Sequence, residues 1–77
     1  SIEADEAKEL LSPALTVAAP PRLAVIPVET VAVPEAFCWE FRGTSFGEDF
    51  FVYINAVTGE EEKVLQLIKT SEGSLTM

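Results

Sequence analysis

Apolar and polar positions alternate most cleanly over residues 50–56. Phe50, Val52, Ile54 and Ala56 fall to one side, and Phe51, Tyr53 and Asn55 to the other. A period of two carried by aromatic and β-branched residues predicts a strand. Thr58-Gly59 breaks the pattern, and residues 61–69 resume it, with 64–68 apolar enough for a second strand. Gly59 can take the positive φ that a short hairpin loop demands, and Asn55 is placed to bond the backbone of the turn. The pair is expected to be a hairpin in which Asn55, Thr58 and Gly59 shape the turn.

Residues 36–42 alternate in the same way, with Phe37, Trp39 and Phe41 against Cys38, Glu40 and Arg42. Residues 23–28 read as a further strand, whose Pro27 places that end at a sheet edge or a bulge. Pro20-Pro21 argues against a central strand in 14–22, although Leu15 and Val17 can still reach the core. Residues 29–34 are the connection, and Val31-Ala32-Val33 is apolar enough to extend either neighbour. Residues 43–49 are expected to turn, and 70–77 to form a tail with Gly73 as a breaker.

Residues 1–11 carry a helical period instead. Ser1 is the expected cap, Glu3, Asp5 and Glu6 complement the positive end of the dipole, and Ala4, Ala7, Leu10 and Leu11 form an apolar stripe. Pro13 closes the helix, because its ring pushes Ser12 out of the helical region. So short a helix is unstable alone and needs a sheet to lie on. The row of Phe37, Trp39 and Phe41 is its natural seat. The predicted fold is α+β: one N-terminal helix packed on a roughly four-stranded antiparallel sheet, a two-layer sandwich. Phe51 and Tyr53 lie opposite Val52 and Ile54, so the last strands are apolar on both faces. The second face is expected to be covered or to bind a partner.

Composition narrows the function. Seventy-seven residues form one small domain in which each large apolar side chain counts, and the start at Ser1 leads us to expect a piece of a longer protein. Apolar residues make up 48% of the chain, too many for a disordered segment. Five basic against thirteen acidic residues give a net charge of −8, which excludes nucleic acid as a partner and disfavours an anionic membrane. No apolar run approaches the ~20 residues that span a bilayer, and no signal-peptide pattern occurs. The triplet Glu60-Glu61-Glu62 reads as the solvated start of a strand, where charge discourages edge pairing.

Candidate chemistry is sparse. The chain has no histidine, hence neither the commonest general base nor the commonest metal ligand. Its one cysteine, Cys38, cannot form an internal disulfide and sits in mid-strand as a small apolar residue. Ser12, Ser45, Ser71 and Ser74 have no base to activate them. Glu48-Asp49 and the glutamate triplet lack the alternating oxygen-ligand spacing of a calcium loop. The glycines are scattered rather than clustered around a phosphate. No catalytic residue, cofactor or metal is expected. Phe51 and Tyr53 are the candidates for partner contact, with core packing as the competing reading.

The order helix, then antiparallel strands ending in a hairpin with a Tyr-Ile-Asn-Ala-x-Thr-Gly-Glu turn, resembles the PepSY domain family. Residues 22–27 (RLAVIP), 38–43 (CWEFRG), 52–56 (VYINA), the TGEEE turn and 73–77 (GSLTM) follow one another as in the C-terminal PepSY repeat of YpeB-like spore germination proteins. The resemblance is weakest over 14–21 and 29–35. It implies a C-terminal fragment of a membrane-anchored protein on the outer side of the inner spore membrane. It also implies a cortex-lytic peptidoglycan hydrolase of the SleB kind as partner, which the module stabilises or regulates. The family supplies no catalytic residues. A protease-inhibitory or propeptide-type PepSY role is the alternative, and the apolar edge strands leave self-association open.

Overall fold

The computed structural model describes residues 1–28, 34–70 and 73–76. These form one helix, α1 (Ala4–Glu9), and six strands: β1 (Thr16–Val17), β2 (Arg22–Pro27), β3 (Glu35–Ser45), β4 (Glu48–Asn55), β5 (Glu61–Thr70) and β6 (Gly73–Thr76). The strands make one antiparallel sheet. β3, β4, β5 and β6 are neighbours in chain order, while β1 and β2 pair with successive stretches of β3. The fold is broadly α+β as the alternation predicts, but it is mostly sheet. It has more strands than the four expected, and a helix too small to form a full second layer.

The differences have local causes. Ala18 donates its N–H to the Arg42 carbonyl (2.8 Å), and Arg22 stands opposite Glu40. Residues 19–21 therefore span the one β3 position occupied by Phe41. Pro20 and Pro21 have no N–H for a ladder, so one edge strand is split into β1 and β2 by a proline bulge. The tail expected over 70–77 is instead the end of β5 followed by β6, with Leu67 opposite Thr76 and Thr70 opposite Gly73. The reading of Val31-Ala32-Val33 as a strand extension lies outside the described residues.

The turn expected over 43–49 shrinks to Phe46-Gly47, because the ladder continues through Gly43–Phe50, Thr44–Asp49 and Ser45–Glu48. Each bond gained there is worth about 1 kcal/mol, enough to override weak strand propensity. Both loop residues have positive φ, 50° at Phe46 and 79° at Gly47, which is the twist a two-residue hairpin needs. Phenylalanine is a poor choice for that conformation, and its ring is 94% exposed.

The helix is shorter than the 1–11 expected. Glu3, not Ser1, is its cap, and the Glu6 carboxylate reaches back to the Glu3 N–H at 3.5 Å. Leu10 lies at the C-terminal cap and is exposed, so of the expected stripe only Ala7 is buried. Six residues give a helix of about 9 Å. It covers Phe41, Val52 and Ile54, with Ile2, Leu11, Leu15, Val17 and Trp39 packed around them. It does not reach Phe37, at the far end of the aromatic row, which is 60% exposed.

Two substitutions test this account. Phe46→Asn replaces an exposed ring in a strained backbone with a residue that tolerates it, and should raise the unfolding free energy by about 1 kcal/mol in a denaturant titration. Gly43→Ala should do the reverse. Its new Cβ would stand 2.6 Å from the Thr16 carbonyl oxygen and 2.9 Å from the Leu15 side chain, forcing β1 off the sheet. A loss of about 1–3 kcal/mol is expected in the same titration.

Candidate functional site

The sheet face away from α1 holds a second apolar cluster, Ile26, Cys38 and Tyr53, flanked by Ala24, Val28, Ala36, Phe51 and Leu65. Antiparallel register decides which residues meet there. Tyr53 on β4 stands opposite Glu40 on β3, and Phe51 opposite Arg42. Tyr53 donates its hydroxyl to Glu40 Oε2 at 2.7 Å, while Glu40 Oε1 lies 3.5 Å from Arg22 Nε on the neighbouring strand. The Arg42 guanidinium lies 5.7 Å from the centroid of the Phe51 ring, within cation–π range.

The two aromatic candidates therefore have different environments. Tyr53 is 9% exposed and its hydroxyl is engaged within the chain. Phe51 is half-buried and keeps ring area toward solvent. Alternation had shown that both share a face, but not the register that sets Tyr53 against an acceptor. For the same reason it missed Glu40 and Arg22 as a polar pair crossing an apolar face. Burial and the Glu40 hydrogen bond push the Tyr53 phenol up to about 12. Burial, with the Glu62 charge second, pushes the Cys38 thiol up as well, away from the thiolate a nucleophile needs.

The hairpin turn adjoins this face. Asn55 Oδ1 accepts from the N–H groups of Val57 (2.8 Å) and Thr58 (3.0 Å), and Thr58 Oγ1 accepts from Glu60 N–H (3.2 Å). Gly59 has φ 79° and donates to the Asn55 carbonyl at 2.9 Å. Asn55, Thr58 and Gly59 are thus bound into one turn. The glutamate triplet is not uniformly solvated. The register shifts so that Ile54 faces Glu61 and Tyr53 faces Lys63, leaving Glu62 as the bulged residue. Its carboxylate accepts from Asn55 Nδ2 at 3.0 Å.

No group of three or more potential metal ligands occurs among the described residues. Ser12 and Ser45 line a cleft of about 190 Å³ beside α1, together with Leu11, Leu15, Phe50, Val52, Glu61 and Val64. That volume is below the few hundred Å³ usual for a small-molecule site, and its walls are mainly apolar.

Tyr53 is the chain's one tyrosine, so its titration can be read directly. Its folded value near 12 lies above the ordinary 10, so the stability it contributes is complete below pH 10 and is lost as pH rises through 12. Tyr53→Phe should be less stable than the parent by about 1–2 kcal/mol at neutral pH. That gap should close between pH 10 and 12, in step with tyrosinate absorbance. A constant gap across this range would show that the hydroxyl is not held as described.

No family model matches the chain, and no solved structure matches it. Over 63 residues, 82% of its length, the chain is 43% identical to the sporulation protein YpeB of Halalkalibacterium halodurans. Those residues are 13% of the length of that relative, so the chain corresponds to a small part of it. The chain is YpeB-like over most of its length.

Proposed function

We propose that this chain is a non-catalytic, PepSY-type interaction module of a YpeB-like sporulation protein, and that it stabilises or regulates a cortex-lytic peptidoglycan hydrolase of the SleB kind. The similarity to a sporulation protein across most of the chain carries the reading. The second sheet face supports it, since Phe51 and Leu65 leave apolar area half-exposed beside a cation. Aromatic and arginine side chains are the commonest anchors of protein interfaces. In this reading the parent protein is membrane-anchored and the module works on the outer side of the inner spore membrane. It restrains or protects its partner by contact and takes no part in bond cleavage.

Affinity capture with the full-length protein from sporulating cells tests this. The hydrolase should be retained, and Phe51→Ala should lower its recovery at least about tenfold, the loss expected of one interface aromatic. Circular dichroism of the variant should show the strands intact. A full-length protein that retains no cortex-lytic hydrolase would sink the proposal. Strong inhibition of a metalloprotease by the isolated module would favour the propeptide-type role instead.

A further inference from the structure

β2 is an edge strand, and the phase of its ladder shows which backbone groups face outward. Val28 donates its N–H to the Pro34 carbonyl at 2.8 Å, while the Phe37 carbonyl accepts from Ala56 on the other side of β3. Antiparallel hydrogen bonding alternates residue by residue. Arg22, Ala24 and Ile26 therefore turn their N–H and C=O groups toward β3, and Leu23 and Val25 turn theirs away from it. Pro21 and Pro27 share the outward phase but have no N–H. The outer edge thus presents two donors, at Leu23 and Val25, bounded at each end by proline.

The same two residues expose their side chains on the α1 side of the sheet, 56% at Leu23 and 52% at Val25. Phe37, which the helix leaves open, stands directly opposite Val25. Charge sets this edge apart. From Leu10 to Val28 the sequence contains no acidic residue, in a chain with thirteen of them. Nine of the acids lie instead around α1, at the Phe46-Gly47 tip, and in or beside the hairpin turn of 56–60, while Glu35 and Glu40 stand on β3 behind β2, opposite Pro27 and Arg22, with Glu40 paired to Arg22. β6, at the other edge, is only four residues long and directly follows Glu72.

We propose that β2 pairs antiparallel with β2 of a second copy of this chain, about a two-fold axis at Ala24. The strand is self-complementary in that register. Each copy gives two donors, from Leu23 and Val25, and the corresponding carbonyls receive two in return. Leu23 of one copy lies against Val25 of the other, and Phe37 continues the apolar row on both sides. No like charges meet. Two chains of net charge −8 repel at a distance, and that repulsion opposes contact least along a strand that carries no acid of its own and whose Arg22 is paired with Glu40 behind it. An interface of one short strand is small, so the dimer is weak and forms at high concentration. The inference does not depend on the hydrolase partner.

Sedimentation velocity of the 77-residue chain from about 10 to 500 µM tests it, a range suited to a weak interface. The mass should rise toward twice that of the monomer. Added salt should strengthen association by screening the repulsion. Val25→Pro removes an outward N–H without touching the bonds to β3, and Val25→Glu puts an acid on the edge. Each should weaken the dimer at least about tenfold while circular dichroism still reports the sheet. If Val25→Pro does not fold, Val25→Glu decides the matter alone. Val57→Glu, the same change at an exposed turn residue, should leave the dimer intact. Amide exchange at Leu23 and Val25 should slow as concentration rises. A monomer throughout the range, or a dimer indifferent to the Val25 variants, would overturn the proposal.

Discussion

Ile2 is the point on which the rest of the structure depends. Its N–H donates to the Ala56 carbonyl at 2.6 Å, and its own carbonyl accepts from Trp39 Nε1 at 3.0 Å. A six-residue helix has no stability of its own. These two bonds hold the segment that leads into it against the sheet. Ala7 can then seat on Phe41 and Ile54, on the side where the Phe41 ring is wholly enclosed. The anchor depends in turn on the hairpin, because Ala56 begins the loop that Asn55 folds. Gly59 comes close to the same segment: a Cβ there would lie 3.1 Å from Leu10 Cδ1 and 3.8 Å from Ile2 Cδ1. Glycine at this position therefore satisfies two demands, a positive φ and the close approach of the N-terminal segment.

The hairpin and the aromatic strand were legible because their information is local. A period of two, a loop with Asn and Gly, and a proline near a strand end each act within a few residues. The helix start was read two residues too early, because Ser1 has the usual capping preference, whereas the cap falls at Glu3, whose N–H is met by the Glu6 carboxylate. The continuation of the ladder past Gly43 was not readable, since it depends on partners in β4 and on Leu15 and Thr16 lying against a glycine that leaves room for them. β6 is the clearest case. Its four residues have no signal of their own and become a strand because β5 presents a free edge.

The candidate face shows the same division between composition and register. Phe51 and Tyr53 are equivalent by alternation, two residues apart on the same side. Opposite Tyr53 stands Glu40, and opposite Phe51 stands Arg42. A carboxylate acceptor draws the phenol inward and holds it, whereas a guanidinium lies over a ring without enclosing it. Register therefore makes Tyr53 part of the domain's own framework and leaves Phe51 with surface to spare. The residues that separate them, Glu40 and Arg42, belong to a strand whose polar side had carried no functional expectation.

A thin sheet with apolar residues on both faces is prone to nonspecific association, and the distribution of charge opposes it. Glu60 and Glu61 stand exposed beside the hairpin turn, while Glu62 turns back to Asn55. Glu48, next to the Phe46-Gly47 tip, accepts from Gln66 Nε2 at 3.2 Å, so an acid is fixed where β4 and β5 would otherwise offer an open end. Such charges discourage indiscriminate strand pairing. They do not neutralise one another, because only five basic residues are present. What the repulsion leaves accessible is set by where acids are fewest, and β2, the proline-bounded edge strand, carries none of its own. The acidic bias thus restricts contact to a few surfaces, and the selectivity of this small chain begins with where it does not carry charge.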